Sequence, residues 1–159
     1  MSEFPAPPPQ PPPPGAPIPS DGPSGPRASF FARFGAVLVD GILLSVIGFV
    51  IRLAIGPTGG GLIGLALGIA YFGYLEGSSS GQTVGKRAVG IRVIDFRTGG
   101  PIGFGRAVIR YFARILSFIP CLLGYFWMLW DKEKQTWHDK LATDVVVPVS
   151  SYPVESWPN

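Results

Sequence analysis

An arginine and an aspartate lie inside the first long apolar run of the sequence, where charged side chains are costly. Arg33 and Asp40 are seven residues apart, and the run that holds them, Phe31–Leu53, has one other charged residue, Arg52. On a helix this spacing is two turns, so the pair shares one face about 10 Å apart without touching. A charge at the bilayer centre costs roughly 2.5–3.5 kcal/mol. Asp40 is therefore predicted either to bind a proton or cation in a cavity, or to join helices through hydrogen bonds or an arginine partner.

A basic stripe is the second candidate feature. Arg106, Arg110 and Arg114 recur every fourth residue, which places them along one side of an amphipathic helix. We predict that this stripe faces anionic lipid headgroups; the alternative is an anionic substrate. Lys86 and Arg87, in the loop before it, are assigned the same lipid-facing role.

Catalytic and metal-binding motifs are incomplete. The glycine-rich segment that ends at Lys86 has three residues between its two glycines, whereas a phosphate-binding loop has four. The lysine is followed by Arg87, whereas that loop has Ser or Thr after its lysine. His138 and Asp139 have no nucleophile placed by a motif and are predicted to form a structural hydrogen-bond network. The single cysteine, Cys121, forms neither an internal disulfide nor a cysteine-zinc site. We expect no enzyme, no cofactor and no metal.

The composition indicates a membrane protein. Of the 159 residues, 47% are hydrophobic and only 14% are charged, whereas soluble domains carry about 25% charge. The net charge of +3 is compatible with nucleic acid, but the basic residues lie beside apolar runs, which fits a membrane surface. The lipid bilayer and its anionic headgroups are the expected partners, and nucleic acid is not.

Apolar runs and strand-forming segments set the expected fold. Phe31–Leu53 and Leu62–Leu75 are predicted transmembrane helices, and Ile115–Trp130 is a third apolar helix that either spans or re-enters. Val89–Ile94 and Val145–Val147 are rich in β-branched residues and are predicted to pair. The expected fold class is an all-α integral membrane protein with two spans, a third apolar helix, an amphipathic interfacial helix and a small two-stranded patch.

Charge and proline distribution predict the orientation. Residues 76–114 contain seven Lys or Arg and two acidic residues, so the positive-inside rule makes this segment cytoplasmic and the protein a multi-pass cell-membrane protein. Two crossings then place residues 1–26 in the cytoplasm. That tail holds 12 of the 18 prolines and is predicted to be disordered or polyproline II, either as a spacer or as a ligand for a polyproline-binding protein. Residues 27–148 are the membrane domain, and 149–159 form a second tail.

Three clusters of the sequence together resemble the RDD family, small prokaryotic membrane proteins named for one arginine and two aspartates. The clusters are Arg33–Asp40, Gly81–Val93 and Gln135–Ala142, and the resemblance covers about residues 27–148. It assigns the three family residues to Arg33, Asp40 and Asp139, although Asp131 is close enough to be mistaken for the last.

One segment departs from the family pattern. Ala142, Thr143 and Asp144 stand where the family commonly has a small residue, Gly and Thr. Glycine adopts a positive φ easily, so Thr143 is not expected to take such a conformation.

The resemblance implies a class of function. Transport of ions or other ligands is ascribed to some family members, so we expect a transport or cation/proton-exchange component in which Asp40 titrates or binds a cation. Arg33 and Asp139 would set its electrostatics. Three helices enclose little of a pathway, which predicts a homo-oligomer or a partner subunit. The alternative is a non-transporting membrane adaptor that recruits a partner through the proline-rich tail.

Overall fold

The computed structural model describes residues 25–118 and 123–153. Most of both predicted tails, Pro120 and Cys121 lie outside these ranges. The described chain is mostly helical, with one small antiparallel sheet. Its elements in chain order are α1 (Phe30–Gly77), α2 (Val84–Ala88), β1 (Ile91–Asp95), α3 (Gly103–Phe118), α4 (Leu123–Phe126), a 3-10 turn (Trp127–Leu129), α5 (Trp137–Ala142) and β2 (Asp144–Pro148).

The helix α1 folds back on itself at Gly56. This residue has φ 80° and ψ 170° and is followed by Pro57, and both residue types interrupt a helix. The two halves, residues 30–55 and 57–77, then run side by side in opposite directions. Across them, the Tyr71 hydroxyl donates to Asp40 at 2.7 Å. Nearer the bend, a Cβ on Gly60 would lie 2.8 Å from the Cα of Arg52, so only glycine fits there.

The outward surface of α1 is apolar. Large apolar side chains from Phe31 to Leu53 are exposed, and this stretch rises by about 33 Å, against a hydrocarbon core of about 30 Å. Within the described residues, α1 is the one helix long and apolar enough to cross a membrane. Both predicted spans fall within it, one in each half.

The helix α3 is amphipathic in the opposite sense to a helix on a soluble protein. Phe104, Ile109 and Phe112 are 57%, 53% and 47% exposed, whereas Arg110 is 2% exposed. On α1, a Cβ at Gly73 would lie 2.7 Å from the Phe104 ring, so the glycine lets α3 approach closely. The predicted helix is confirmed, but it turns its charged stripe toward the protein and its apolar face outward.

The predicted third apolar helix, Ile115–Trp130, is divided between elements. Its first four residues end α3, because the amphipathic helix continues past Arg114 to Phe118. After the undescribed residues 119–122, the chain forms only α4 and the 3-10 turn.

The predicted pairing of the two β-branched segments is confirmed. Strands β1 and β2 run antiparallel with Val93 opposite Val146. The pair is buried on both faces. One face joins a cluster that contains Ala36 and Ala107, and the other packs against Phe96 and neighbouring side chains. The sheet thereby fixes the end of α5 against α3, where the charged side chains gather.

Candidate functional site

Asp40 holds the loop before α2 against α1. Its carboxylate accepts hydrogen bonds from the Tyr71 hydroxyl at 2.7 Å, the Thr83 hydroxyl at 2.6 Å and the Gly85 backbone N–H at 2.7 Å. The Thr83 oxygen in turn accepts from the Lys86 backbone N–H and so caps α2. Asp40 is 3% exposed. Of the two roles predicted for it, this geometry matches the residue that joins elements through hydrogen bonds.

Two glycines allow this loop to approach closely. A Cβ on Gly85 would overlap the backbone oxygen of Ala36 and lie 2.8 Å from Asp40 Cγ. Gly81 has φ 62°, and a Cβ there would overlap the backbone oxygen of Val93. Gly81 and Gly85 therefore allow close backbone contact with β1 and α1.

Arg33 pairs with Asp139 and not with Asp40. Its Nη1 lies 2.5 Å from Asp139 Oδ2, and its Nη2 donates to the Lys134 carbonyl at 2.8 Å. Asp139 also caps the start of α5: it forms a capping box with Thr136, the residue before the helix. The first sequence cluster thus binds the second through Asp40 and the third through Arg33.

Arg110 is the centre of a group of buried charges. Its Nη1 pairs with Asp139 and with Asp144, and its Nε lies 3.2 Å from Glu76 Oε2. Glu76 also pairs with Lys86 of α2 and Arg114 of α3. We call these residues the buried ion network: Arg33, Lys86, Arg110 and Arg114 with Glu76, Asp139 and Asp144.

This network corrects the prediction that the basic residues face lipid headgroups. Lys86 and Arg110 are buried against carboxylates. Arg106 pairs with Asp95 and donates to backbone carbonyls, and Arg114 stacks 4.3 Å above the ring of Phe72. Helical spacing places the arginines on one face but does not identify what lies opposite, and here acidic residues from α1, β1, α5 and β2 lie opposite. Of the basic residues predicted to face lipid, Arg87 is exposed, and its contact with lipid headgroups stays a prediction.

Sequence reasoning missed Glu76 and Asp144 as members of the site. Glu76 was visible only as the charge that ends the second apolar run, and Asp144 only as a departure from a family pattern. The available signal was the excess of basic residues in positions 76–114. Buried cations require buried counter-charges, and acidic residues at the ends of apolar segments were the candidates to supply them.

Burial and neighbouring charges set different pKa values within the network. Burial, with a further contribution from Asp139, raises the pKa of Asp144 to about 7. Burial also acts upward on Asp139, but Arg110 and Arg33 hold its pKa well below the usual range. Burial lowers the pKa of Lys86 to about 8, against the opposing effect of Glu76. It also lowers the pKa of His138 well below its usual value, so the imidazole is neutral at neutral pH.

Asp144 makes the stability of the fold depend on pH. Its pKa is raised from 3.8 to about 7 on folding, so the stability it contributes is complete below pH 3.8 and is lost as the pH rises through 7. As the pH rises from about 5 to about 7, we expect the unmodified chain to lose about 2–3 kcal/mol of free energy of unfolding that Asp144→Asn does not lose. Unfolding of both proteins in neutral detergent at several pH values measures this. His138 titrates equally in both and cancels, and a difference that does not change with pH would contradict the prediction.

Thr143 adopts the conformation that the sequence analysis did not expect of it. Its φ is 54° and its ψ 47°, in the left-handed region, where it ends α5 by donating to the carbonyls of Asp139 and Lys140. Arg106 donates to the carbonyls of Ala142 and Thr143. The expectation was wrong because these charge-assisted hydrogen bonds offset the cost of a positive φ in a β-branched residue.

A cavity of about 540 Å³ adjoins the buried ion network. It lies between the first half of α1, α3 and α4, and most of its walls are apolar. The charged and polar side chains that reach it include four cations, Asp40 and His138. The His138 ring lies 5.0 Å from the ring of Tyr125. Over residues 25–118 and 123–153, no group of three or more His, Cys, Asp or Glu is placed to hold a metal ion.

Comparison with known proteins gives one family and several relatives. The model of the RDD family matches residues 27–143. A proline-rich antigen homolog of Mycobacterium tuberculosis is 40% identical over 86 residues, which are 54% of this chain and 35% of the relative. The proline-rich antigen of Mycobacterium leprae is 36% identical over 101 residues, 58% of this chain and 40% of the relative. An uncharacterized protein of Bacillus subtilis is 30% identical over 149 residues, 76% of this chain and 96% of the relative. The chain therefore spans little more than a third of the mycobacterial relatives. No solved structure matches it.

Proposed function

The chain belongs to the RDD family, and we propose that it is a non-enzymatic, multi-pass protein of the cell membrane whose buried ion network carries protons across the bilayer. In this arrangement both halves of α1 cross the membrane. The basic segment that follows them is cytoplasmic, together with the proline-rich tail, as the charge distribution predicts.

The outward apolar surface supports the membrane location. Alongside α1, the helix α3 exposes phenylalanine and isoleucine while it buries arginine, an arrangement that water would disfavour and lipid would stabilise. Trp127 and Trp130 are also exposed, and the Phe126 ring beside them stacks on Phe30 at 5.6 Å. Tryptophan is enriched at the membrane interface. We therefore assign one interface to the level at which α1 begins.

The observation that carries the proton proposal is the sharing of Arg110 by two carboxylates. Asp139 and Asp144 contact the same nitrogen of Arg110, and their pKa values are moved in opposite directions. Two carboxylates with separated pKa values are the arrangement by which proteins hold a proton that is exchanged near neutral pH. We assign the exchanged proton to Asp144.

Asp40 takes a different role in this proposal. Its oxygens already accept three hydrogen bonds, and the cavity beside it is lined by four cations. Both features disfavour a sodium or potassium ion at Asp40, so we propose protons as the exchanged species. Arg33 and Asp139 set the electrostatics around Arg110. Because one hairpin and α3 enclose little of a pathway, the working form would be a homo-oligomer or include a partner subunit.

Proton flux in sealed liposomes tests the proposal. We expect the unmodified chain to dissipate a pH gradient, read by an internal pH-sensitive dye, at least about tenfold faster than empty liposomes. Asp144→Asn should reduce the rate to that of empty liposomes, because it keeps the shape of the side chain but holds no exchangeable proton near neutral pH. Asp40→Asn is the matched control and should retain flux in the folded protein. Loss of flux in Asp40→Asn alone would return the assignment to Asp40.

The adaptor function is the second candidate, and the concentration of prolines in residues 1–26 favours it. Removal of those residues separates the two candidates. If the chain exchanges protons, the shortened protein should dissipate the gradient at an unchanged rate. If the full chain behaves as empty liposomes do under proton, sodium and potassium gradients, the transport proposal fails and the adaptor remains.

A further inference from the structure

The cavity beside the buried ion network has two chemically different parts. Phe30, Leu44, Phe72, Tyr111 and Met128 contribute to an extended apolar wall. The cationic part is formed by the side chains of Arg33, Lys86, Arg110 and Arg114. The whole cavity has a volume of about 540 Å³, which is in the range of sites for small ligands. A ligand that satisfies both parts has a hydrocarbon portion and a charged end.

Four of the five charged side chains that line the cavity are cations. Glu76, Asp139 and Asp144, the carboxylates that neutralise the network, do not line the cavity, and the lining carboxylate, Asp40, has both oxygens engaged in hydrogen bonds. In addition, Arg33 Nε is buried without a hydrogen-bond partner among the described residues. Arg33 therefore keeps one N–H donor that no described residue uses, and its side chain lines the cavity.

The sum of formal charges indicates a ligand with one negative charge. The four cations of the network are opposed by four carboxylates when Asp40 is counted with Glu76, Asp139 and Asp144. Because the pKa of Asp144 is raised to about 7, this carboxyl group is protonated in about half of the chains at pH 7. Protonation leaves one positive charge in excess, which a monoanion balances.

The cavity opens on the apolar outer surface. Phe34 and Val37 line it and are also 51% and 55% exposed. Gly41 lines it one turn further along α1. In a chain whose outward surface faces lipid, a ligand that enters between these residues comes from the membrane and not from water.

We propose that the cavity binds a monoanionic membrane amphiphile with a single hydrocarbon chain, a fatty acid in chemical terms. Its chain lies along the apolar wall, and its carboxylate pairs with the cationic lining at Arg33 and Arg114. Binding of this ligand needs the cavity and its cations but no flux of protons across the bilayer, so its test gives a result separate from the flux measurement.

Equilibrium binding of radiolabelled oleate to the purified full chain in neutral detergent tests this proposal. Gly41→Leu is the informative variant, because Gly41 lines the cavity. A Cβ at Gly41 has no protein atom within 4 Å, so the leucine can occupy the cavity without a clash. Gly48→Leu is the matched control. It lies two turns along the same helix, also has nothing within 4 Å of its Cβ, and does not line the cavity.

We expect saturable binding of one oleate per chain in the unmodified protein and in Gly48→Leu. Gly41→Leu should raise the Kd at least about tenfold while its thermal unfolding midpoint stays with that of Gly48→Leu. Oleyl alcohol has the same chain without the charge, and acetate has the charge without the chain; neither should compete. Equal binding by the two leucine variants, or competition by oleyl alcohol equal to that of oleate, would overturn the proposal. Stronger competition by dioleoyl phosphatidylglycerol would replace the fatty acid with a two-chain lipid and so also reject it.

Discussion

Arg110→Leu is expected to lower the free energy of unfolding by about 3–5 kcal/mol, a large part of the stability of a typical domain. The leucine keeps part of the buried volume but removes the cation that Glu76, Asp139 and Asp144 share. Three carboxylates would then lie close together with less positive charge to offset their burial. Yield of monodisperse protein in neutral detergent and its thermal unfolding midpoint measure the effect.

Two further variants separate the loss of charge balance from the loss of packing. Arg106→Leu removes an arginine from the same helix one turn earlier, where the side chain is 33% exposed, and we expect a cost of about 1–2 kcal/mol. Adding Asp144→Asn to Arg110→Leu removes one of the stranded carboxylates and should recover part of the lost stability. If the Arg106 and Arg110 variants lose equal stability, or the second substitution recovers nothing, Arg110 is not the centre of the network.

Gly85→Ala is the second substitution for which we expect a large effect, a loss of about 3 kcal/mol. The added methyl group would overlap the backbone oxygen of Ala36 and approach Asp40 Cγ to 2.8 Å. The Ala36 oxygen belongs to the backbone and the Asp40 carboxylate is held by three hydrogen bonds, so α2 must shift away from α1. The shift also breaks the hydrogen bond from the Gly85 N–H to Asp40. Thermal unfolding, together with amide hydrogen exchange over residues 81–90, measures both consequences.

Gly105→Ala provides the control for this prediction. Gly105 lies within α3, and a Cβ there has nothing within 4 Å. Because alanine favours a helix over glycine, this substitution should be neutral or stabilise the protein by up to about 1 kcal/mol. Equal losses at Gly85 and Gly105 would show that the contact between α1 and α2 does not carry the stability we assign to it.

The sequence predicted the strong local patterns of this fold. Helical periodicity located the arginine-bearing helix, and β-branched runs located the strand pair. Three spaced clusters also sufficed to place the chain in its family. Each of these features depends on residues close together in the sequence, where spacing alone determines which side chains share a face.

The pairing of charges could not be predicted in the same way. Seven-residue spacing put Arg33 and Asp40 on one helical face, yet their partners are Asp139 and the loop around Thr83. Arg33 and Asp139 are 106 positions apart, and no local pattern encodes that contact. Arg110 was assigned to lipid for the same reason, since an arginine stripe looks identical whether it faces phosphate groups or buried carboxylates. Tertiary packing decides between these.

The ion pair between Arg33 and Asp139 also has a consequence for biosynthesis. A chain emerges from the ribosome N-terminus first, so the hairpin of α1 is complete while its counter-charges on α3 and α5 are still untranslated. During this interval Arg33 and Glu76 lack the partners that the finished fold gives them. The ion pairs of the hairpin are therefore complete only when the chain has been made as far as Asp139. A chain that stops short of that point would leave Arg33 without its partner carboxylate.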